Sequence, residues 1–520
     1  MTVRLPFWSL LFVLVVSGSL IVARALVGPL ESPVHVRSPL NVESFFGLSA
    51  VLLLLMGTRA APSAGKPEPV YTRTDALAIA VVVLSTAAVF WRSTRFYFLS
   101  DDFLILRHAL EIHRSYRHVL TTGGGDGFYR PLTYVSLAWT VPWASHDPER
   151  WHWVGLTIHM LNSCLVFLLA RGIGMARLTA WFASALFAVH GSRPETVVWI
   201  TGRFDLLATF FVLLGLVLFL RSDAPIYRCA SIASMLLGLF CKESAYAFPL
   251  MLAVLVLYRP EPWRKRALTL APYFLLTAGA FLLRWILVGG IGGYLTKQGQ
   301  AQAFSLSIAS VSKTLALRLW AVLFFPIDWA LEPGLLLGAA TLVFVAIMAL
   351  ALAKIRTERG TLLVSFGLLL TAALPPLQQL LIGADLQKAR LLYLPSVGFA
   401  LLLAAFASAA KPALRWAFML AVLGFNLVAL EHNLTAWERA SQKTKSVCRA
   451  VAACATGPSD QITILGLPGI LNGVYFFANG LSACIDMERQ PNLPAPSGQP
   501  CSFRWDEKTE DLKPVRASGP

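Results

Sequence analysis

The stretch 76–98, ALAIAVVVLSTAAVFWRSTRFYF, runs directly into Leu99-Ser100-Asp101-Asp102-Phe103. About 20 apolar residues let a helix cross the hydrocarbon core of a bilayer. Two adjacent carboxylates at the end of such a run are costly unless hydrated, paired or used. Working outward, similar runs recur at approximately 7–27, 42–57, 153–171, 178–190, 195–220, 229–241, 244–258, 267–290, 334–353, 361–380, 391–409 and 414–431. The 520 residues are 56% hydrophobic and 14% charged, whereas soluble domains hold about 45–50% apolar and about 25% charged residues. The expected fold is therefore an all-α polytopic membrane protein with about 11–13 transmembrane helices. The runs at 178–190, 229–241 and 244–258 are short enough for half-spans or buried helices.

The net charge of +16 follows the cytoplasmic excess of Lys and Arg in membrane proteins. With the N-terminus in the cytoplasm, the inner loops carry Arg59, Lys66 and Arg73; Arg171 and Arg177; Arg221 and Arg228; Arg259, Arg264, Lys265 and Arg266; Lys354, Arg356 and Arg359; and Lys411 and Arg415. That parity puts the loop 99–152, the stretch 291–333 and the chain from about 432 outside. No basic run is interleaved with aromatics, so no nucleic-acid partner is expected. Met1–Arg4, an apolar run and Ala23-Arg24-Ala25 imitate a signal peptide, but closely following spans favour an uncleaved helix. The expected domains are two N-terminal transmembrane helices over 1–75, a transmembrane catalytic domain over 76–432, and an exported tail over 433–520.

Of seven cysteines, Cys448, Cys454, Cys484 and Cys501 all fall in that tail. Four in an exported segment read as a disulfide framework with three connectivities open. No Cys-x-x-Cys pair suggests zinc. Gln461–Leu465 alternates like a strand, Leu467-Pro468-Gly469 reads as a turn, and Asn472–Met487 as strand then helix. From Pro491 the composition predicts an extended or disordered end. The tail is thus expected to be small, mixed α/β and disordered towards its end.

Asp101 and Asp102 are the candidate catalytic pair: one carboxylate as general base, its neighbour orienting an acceptor. Ser100-Asp101-Asp102 also suit the cap of a helix beginning at Phe103, where carboxylates lie beside the positive end of its dipole. Leu104–Leu120 is amphipathic, with Leu104, Ile105, His108, Ala109 and Ile112 on one side, as in a helix lying at the membrane interface. A flexible Gly123–Gly127 hinge and Phe128-Tyr129-Arg130-Pro131 then open a second interfacial helix. Further polar residues punctuate the apolar runs: His152, His159 and Asn162; His190, Arg193, Glu195, Arg203 and Asp205; Lys242 and Glu243; Arg284; and Lys388 and Arg390. A lone member is ordinarily a packing residue or a snorkelling cation. Gathered at one face, the cations suit a phosphate headgroup whose tail stays in lipid.

These residues resemble the GT-C glycosyltransferases, which use polyprenyl-phosphate sugars. The likeness is to the branch of transmembrane O-mannosyltransferases that target cadherins and their bacterial relatives. It rests on Asp101-Asp102 after a span, Tyr129-Arg130-Pro131-Leu132-Thr133, Trp151 through His159 to Asn162, and His190 through Arg193-Pro194-Glu195 to Gly202-Arg203-Phe204-Asp205. Lys242-Glu243 and Arg390-Leu391-Leu392-Tyr393-Leu394-Pro395-Ser396-Val397-Gly398 complete it, in order, from about residue 95 to 435. Gly191 stands where the relatives usually have Pro, Lys388-Ala389-Arg390 replaces an acidic residue before the Arg, and a Cys-bearing tail stands where many relatives carry tetratricopeptide repeats.

The resemblance implies a GT-C-like fold and an inverting transfer of a sugar, mannose among the candidates, from a polyprenyl-phosphate donor. The acceptor hydroxyl would belong to a protein, a lipid or a glycan. Asp101 is then the base and Asp102 its support. Arg390, Lys242 and Arg193 hold the donor phosphate. Arg130, His159, His190, Glu195, Arg203, Asp205, Glu243 and Tyr393 line the substrate site. No cofactor is specified, and a divalent metal on Asp101 and Asp102 is neither required nor excluded. The setting implied is a bacterial inner membrane, with the N-terminus cytoplasmic and the active site and tail periplasmic. Two other classes fit the residues: a transporter or flippase of a polyprenyl-linked or amphipathic solute, and a catalytically silent membrane scaffold.

Overall fold

The computed structural model describes residues 72–116, 127–289, 319–328, 358–376, 386–454, 462–488 and 502–515, with positions 119, 293, 343 and 346. The expected spans at 7–27 and 42–57, all but two residues of 334–353, and Cys501 lie outside the described residues. Helix α1 (Arg73–Phe90) starts at a capping box in which the Asp75 N–H donates to Thr72 Oγ1 at 3.4 Å and the Thr72 N–H to Asp75 Oδ2 at 2.9 Å. It ends in a 3-10 turn over Trp91–Arg95. The loop that follows holds two helices, α2 (Asp101–Arg114) and α3 (Pro131–Ala144). The buried stripe of α2 is Phe103, Leu106, Ala109 and Ile112, with Leu104, Ile105 and His108 half-buried at its edge. The buried face is thus rotated slightly from the one expected, centred on Phe103, Leu106, Ala109 and Ile112.

The bundle continues through α4 (Pro148–Gly172), α5 (Arg177–Val189), the single turn α6 (Pro194–Val197), α7 (Arg203–Arg221), α8 (Pro225–Leu239) and α9 (Phe248–Leu257). After α10 (Trp263–Val288), α11 (Leu319–Phe324), α12 (Arg359–Ala373) and α13 (Pro395–Ala409) comes one long helix, α14 (Pro412–Cys454). The segments Arg73–Arg95, Pro148–Gly172, Ile200–Arg221, Trp263–Val288 and Pro412–Cys454 are long and apolar enough to cross a membrane. The chain is an integral membrane protein of helical build, with shorter apolar helices α5, α8, α9, α12 and α13 packed among the long ones. Phe167, Phe182, Phe187, Leu213, Phe248, Leu368 and Leu402 are fully buried in one continuous core. By contrast Leu268, Leu275, Leu282 and Trp285 on α10 are exposed, an apolar face suited to lipid.

The two ends of the bundle differ. At one, Asp75 is buried between Arg177 at 2.9 Å and Arg171 at 3.4 Å, and Arg415 donates to the carbonyls of Ala407, Ser408 and Ala410 past the end of α13. At the other lie the α1–α2, α5–α7, α8–α9 and α12–α13 connections, where the candidate residues sit. Helix α14 has 43 residues, roughly 65 Å at 1.5 Å per residue, about twice the hydrocarbon thickness. Its first part is apolar; from Glu431 it turns polar. The boundary expected at 432/433 therefore falls inside a continuous helix, in which Asn433, Trp437 and Ser441 pack against Gly191, Trp199 and Tyr97 of the bundle.

The tail grows from this stalk. It comprises β1 (Thr463–Leu465), β2 (Ile470–Leu471), β3 (Val474–Tyr475), α15 (Leu481–Glu488), β4 (Ser502–Asp506) and β5 (Asp511–Pro514). Strand β1 pairs in parallel with β4, Ile464 opposite Phe503, and β5 runs antiparallel to β4, Leu512 opposite Trp505. The β2–β3 hairpin turns on Asn472 and Gly473, with φ of 47° and 78°, the positive pair a two-residue hairpin turn needs. The disordered end expected from Pro491 is corrected over 502–514. Phe503 and Trp505 alternate inward and bury against Val447, Val451, Phe476 and Ile485, so an apolar period of two outweighs the Pro- and Ser-rich stretch before it. A Cys448–Cys484 disulfide ties α15 to α14, and Cys454 is disulfide-bonded as well.

Candidate active site

The acidic pair divides into two different groups. Asp102 is 1% exposed. Its Oδ2 accepts the Leu99 N–H at 3.1 Å, and its Oδ1 accepts the Thr201 N–H at 3.1 Å and hydroxyl at 3.3 Å. The carboxylate thus ties the start of α2 to the turn before α7. Burial pushes it up to about 8, against the pull of the Leu99 and Thr201 donors, with the Asp101 charge adding to the rise. Asp101 is half-exposed and accepts one hydrogen bond, from Asn479 Nδ2 at 2.8 Å. Between them and the bundle, buried Ser100 holds φ 46° and ψ −114°, a conformation costing about 1–3 kcal/mol outside glycine. The cap expected from Ser100 is absent: its side chain makes no capping bond, and the helix starts at Asp101.

Trp199 links this loop to the cations. Its Nε1 donates to the Leu99 carbonyl at 3.1 Å, and the Arg390 guanidinium lies over its ring at 4.4 Å. Glu195 holds Arg390 from the other side: it accepts the backbone N–H groups of Lys388 at 3.1 Å and Arg390 at 3.2 Å, and faces the Arg390 guanidinium at 3.4 Å. Burial pushes the Glu195 carboxyl up, opposed by the Arg390 charge and these donors. The remaining candidates form closed pairs. Lys242 Nζ reaches both Asp205 oxygens at 2.6 Å. Arg130 holds Glu243 through Nε at 2.9 Å and Nη2 at 2.5 Å, and Arg284 joins at 3.3 Å.

Other expected site residues are buried in the interior. His159 contacts the Tyr393 hydroxyl at 2.7 Å and the Ala188 carbonyl at 3.0 Å; Asn162 donates to the same hydroxyl at 3.2 Å and to the Leu206 carbonyl at 3.0 Å. Arg193 donates to the Phe187 carbonyl and to Ser396 Oγ, both at 2.6 Å, with its guanidinium against the Phe187 and Tyr393 rings. His190 spans Ser192 Oγ at 2.9 Å and the Leu323 carbonyl at 3.0 Å. Arg203 donates to Thr140 Oγ1 at 2.7 Å under the Trp151 ring. These side chains knit α4, α5, α7 and the 389–396 segment together, the interhelical use of polar groups expected in lipid.

Both Asp102 oxygens accept from the Leu99 and Thr201 donors, so the pair does not fit a two-carboxylate metal seat. Among the described residues no group of three or more His, Cys, Asp or Glu gathers.

No protein-family model matches the chain. Curated sequences do. The protein O-mannosyl-transferase Tmtc1 of Drosophila melanogaster is 32% identical over 129 residues, 24% of this chain and 15% of that protein. Tmtc2 of the same fly is 32% identical over 145 residues, 26% and 16% of the two chains. Human protein O-mannosyl-transferase TMTC3 is 25% identical over 158 residues, 28% and 17%. The chain is similar to GT-C O-mannosyltransferases. The matched segment spans only 15–17% of those O-mannosyltransferases' length. Among solved structures, ArnT from Cupriavidus metallidurans bound to undecaprenyl phosphate superposes over 84% of this chain and 94% of that one, at a TM-score of 0.31 and 15% identity, too loosely for any residue correspondence.

Reading the O-mannosyltransferase-like motifs did not find the residues the tail brings to the site. Asn479 bonds Asp101, and Tyr475 stacks on Trp199 with ring centroids 5.0 Å apart. The signal was present in Asn472-Gly473 between Ile470-Leu471 and Val474-Tyr475, a hairpin pattern.

Proposed function

We propose that the chain is a membrane glycosyltransferase that moves a sugar from a polyprenyl-phosphate donor to an acceptor hydroxyl, with inversion, at the extracytoplasmic face of a bacterial inner membrane. The observation that carries this reading is the split within the acidic pair. Asp102 is consumed by three donors, while Asp101 stands half-exposed with one of its oxygens bonded, beside a loop that Trp199 connects to Arg390. Asp101 takes the proton of the acceptor hydroxyl as its oxygen attacks the anomeric carbon. The bond from that carbon to the phosphate oxygen breaks on the opposite face, and the polyprenyl phosphate leaves with the electron pair. Arg390 is the cation suited to the charge that grows on the leaving phosphate. Lys242 and Arg193 are given other work here: Lys242 neutralises Asp205, and Arg193 pins the helix packing.

An apolar groove of about 520 Å³, lined by Tyr116, Tyr129, Leu132, Val135, Trp139 and Phe240, supports the lipid part of the reading, since isoprene units offer only apolar surface. The names of the sequence relatives make mannose the first sugar to test. The acceptor is a protein, lipid or glycan hydroxyl. The cation-rich connections at the opposite end of the bundle support a cytoplasmic placement for that end. Purified protein in lipid, given radiolabelled undecaprenyl-phosphate mannose and glucose, is expected to release undecaprenyl phosphate, even as slow hydrolysis to water. Donor binding without release would favour a transporter.

A further inference from the structure

The tail is seated on the acidic loop by contacts that need particular residues. Asn479 donates through its amide to Asp101 Oδ1 at 2.8 Å and through its backbone N–H to Ser100 Oγ at 3.3 Å. The next residue, Gly480, has φ +83°, and a Cβ there would stand 2.3 Å from the Ser100 carbonyl oxygen. A strained serine on one side thus meets a glycine, the residue that can adopt this backbone and approach, on the other. Below the contact, α15 packs Ala483 and Cys484 into the same core as Phe98 and Phe103, and the Tyr97 hydroxyl donates to Glu488. The Cys448–Cys484 disulfide fixes this helix to α14. Four restraints of different chemistry therefore hold one amide against one carboxylate oxygen.

We propose that Asn479 is a positioning residue for Asp101, supplied to the membrane site by the disulfide-fastened tail; this rests on the reading of Asp101 as the base. The amide fixes the carboxylate rotamer through Oδ1 and leaves Oδ2, to which no hydrogen bond is found among the described residues, turned to the acceptor proton. Tyr475, stacked on Trp199, and Gly473, against Asp328, extend the tail along the same mouth. The cleft they share with Glu195 and Trp437 holds only about 20 Å³. A tail that served only as a foot for the stalk would need neither the amide nor its aim.

The test uses the full-length protein in lipid with undecaprenyl-phosphate mannose, comparing wild type, Asn479→Ala, Asn479→Gln and Asp101→Asn. Asn479→Ala is expected to lower kcat roughly 10- to 100-fold, the scale on which misplacing a reacting group is felt, with the donor KM within about twofold. Asn479→Gln, which keeps the amide donor, is expected to recover part of that loss. Limited proteolysis should show the tail as resistant in both variants as in wild type, since the disulfide and the α15 packing remain. Asn479→Ala with wild-type kcat, beside an inactive Asp101→Asn, would overturn the positioning role and leave the base assignment standing. An active Asp101→Asn would overturn both. Loss in Asn479→Ala accompanied by a protease-sensitive tail would make the residue a docking contact and overturn the proposal.

Discussion

The interior polar network around His159 and the rim around Asp101 are built from the same kinds of side chain, yet they differ in what folding leaves over. In the interior, His159, Asn162 and Tyr393 bond one another and backbone carbonyls, and all three are fully buried. Arg193 is likewise buried, packed against the Phe187 and Tyr393 rings and bonded to the Phe187 carbonyl and Ser396. At the rim, Asp101 keeps solvent access after its one bond to Asn479. The general expectation that ionisable groups within a membrane chain are functional thus divides. Asn162 Oδ1 and Arg193 Nη1 lack a hydrogen-bond partner among the described residues, so what divides the two regions is access. Groups buried between helices act as interhelical pins, and the chemistry belongs to the carboxylate that solvent and an acceptor can reach.

The comparison can be broken by substitutions that move stability without turnover. The largest effect is expected at the closed ion pair. Lys242→Met leaves the Asp205 carboxylate buried without its partner, a loss of about 3–5 kcal/mol, read as a lower Tm in lipid nanodiscs. His159→Leu strands the Ala188 carbonyl and takes one partner from Tyr393, costing about 1–3 kcal/mol. Its surviving folded fraction should keep kcat within about twofold of wild type. A His159→Leu protein of normal Tm and abolished turnover would move His159 to the rim set.

A pH slope sharpens the split within the acidic pair. Burial pushes Asp102 up to about 8, above the ordinary carboxylate value of about 3.9. Between those values the folded state holds a proton that the unfolded chain has released, so this group's contribution is fully present below about pH 4 and is lost as pH rises towards 8. The slope is at most about 1.4 kcal/mol per pH unit. Asp102→Asn, which does not titrate, should lack it, and equal pH slopes for the two proteins between pH 5 and 8 would contradict the burial of that carboxylate.

Much of this was legible in the sequence for simple reasons. The long apolar runs carry their own fold class, since only a helix satisfies its backbone in lipid. The split between Asp101 and Asp102 was not legible, because it depends on Thr201, 99 residues away, reaching Asp102 Oδ1. The partners of Lys242 and Arg390 are Asp205 and Glu195, residues the motifs singled out for substrate rather than for each other. Gly191, where the relatives usually have Pro, donates its N–H to Asn426 Oδ1 at 3.2 Å, a bond proline could not make. From Pro491 composition points to an extended or disordered end, yet the Phe503 and Trp505 alternation builds a strand at 502–506.

The central claim is that one carboxylate, Asp101, does the chemistry while its neighbour holds the loop. It is tested most directly by measuring undecaprenyl phosphate release and Tm together for wild type and Asp101→Asn in the same lipid. The account predicts a fall in kcat of about 10²- to 10⁴-fold, the usual worth of a general base, with an unchanged Tm. An Asp101→Asn protein that turns over at the wild-type rate would contradict it.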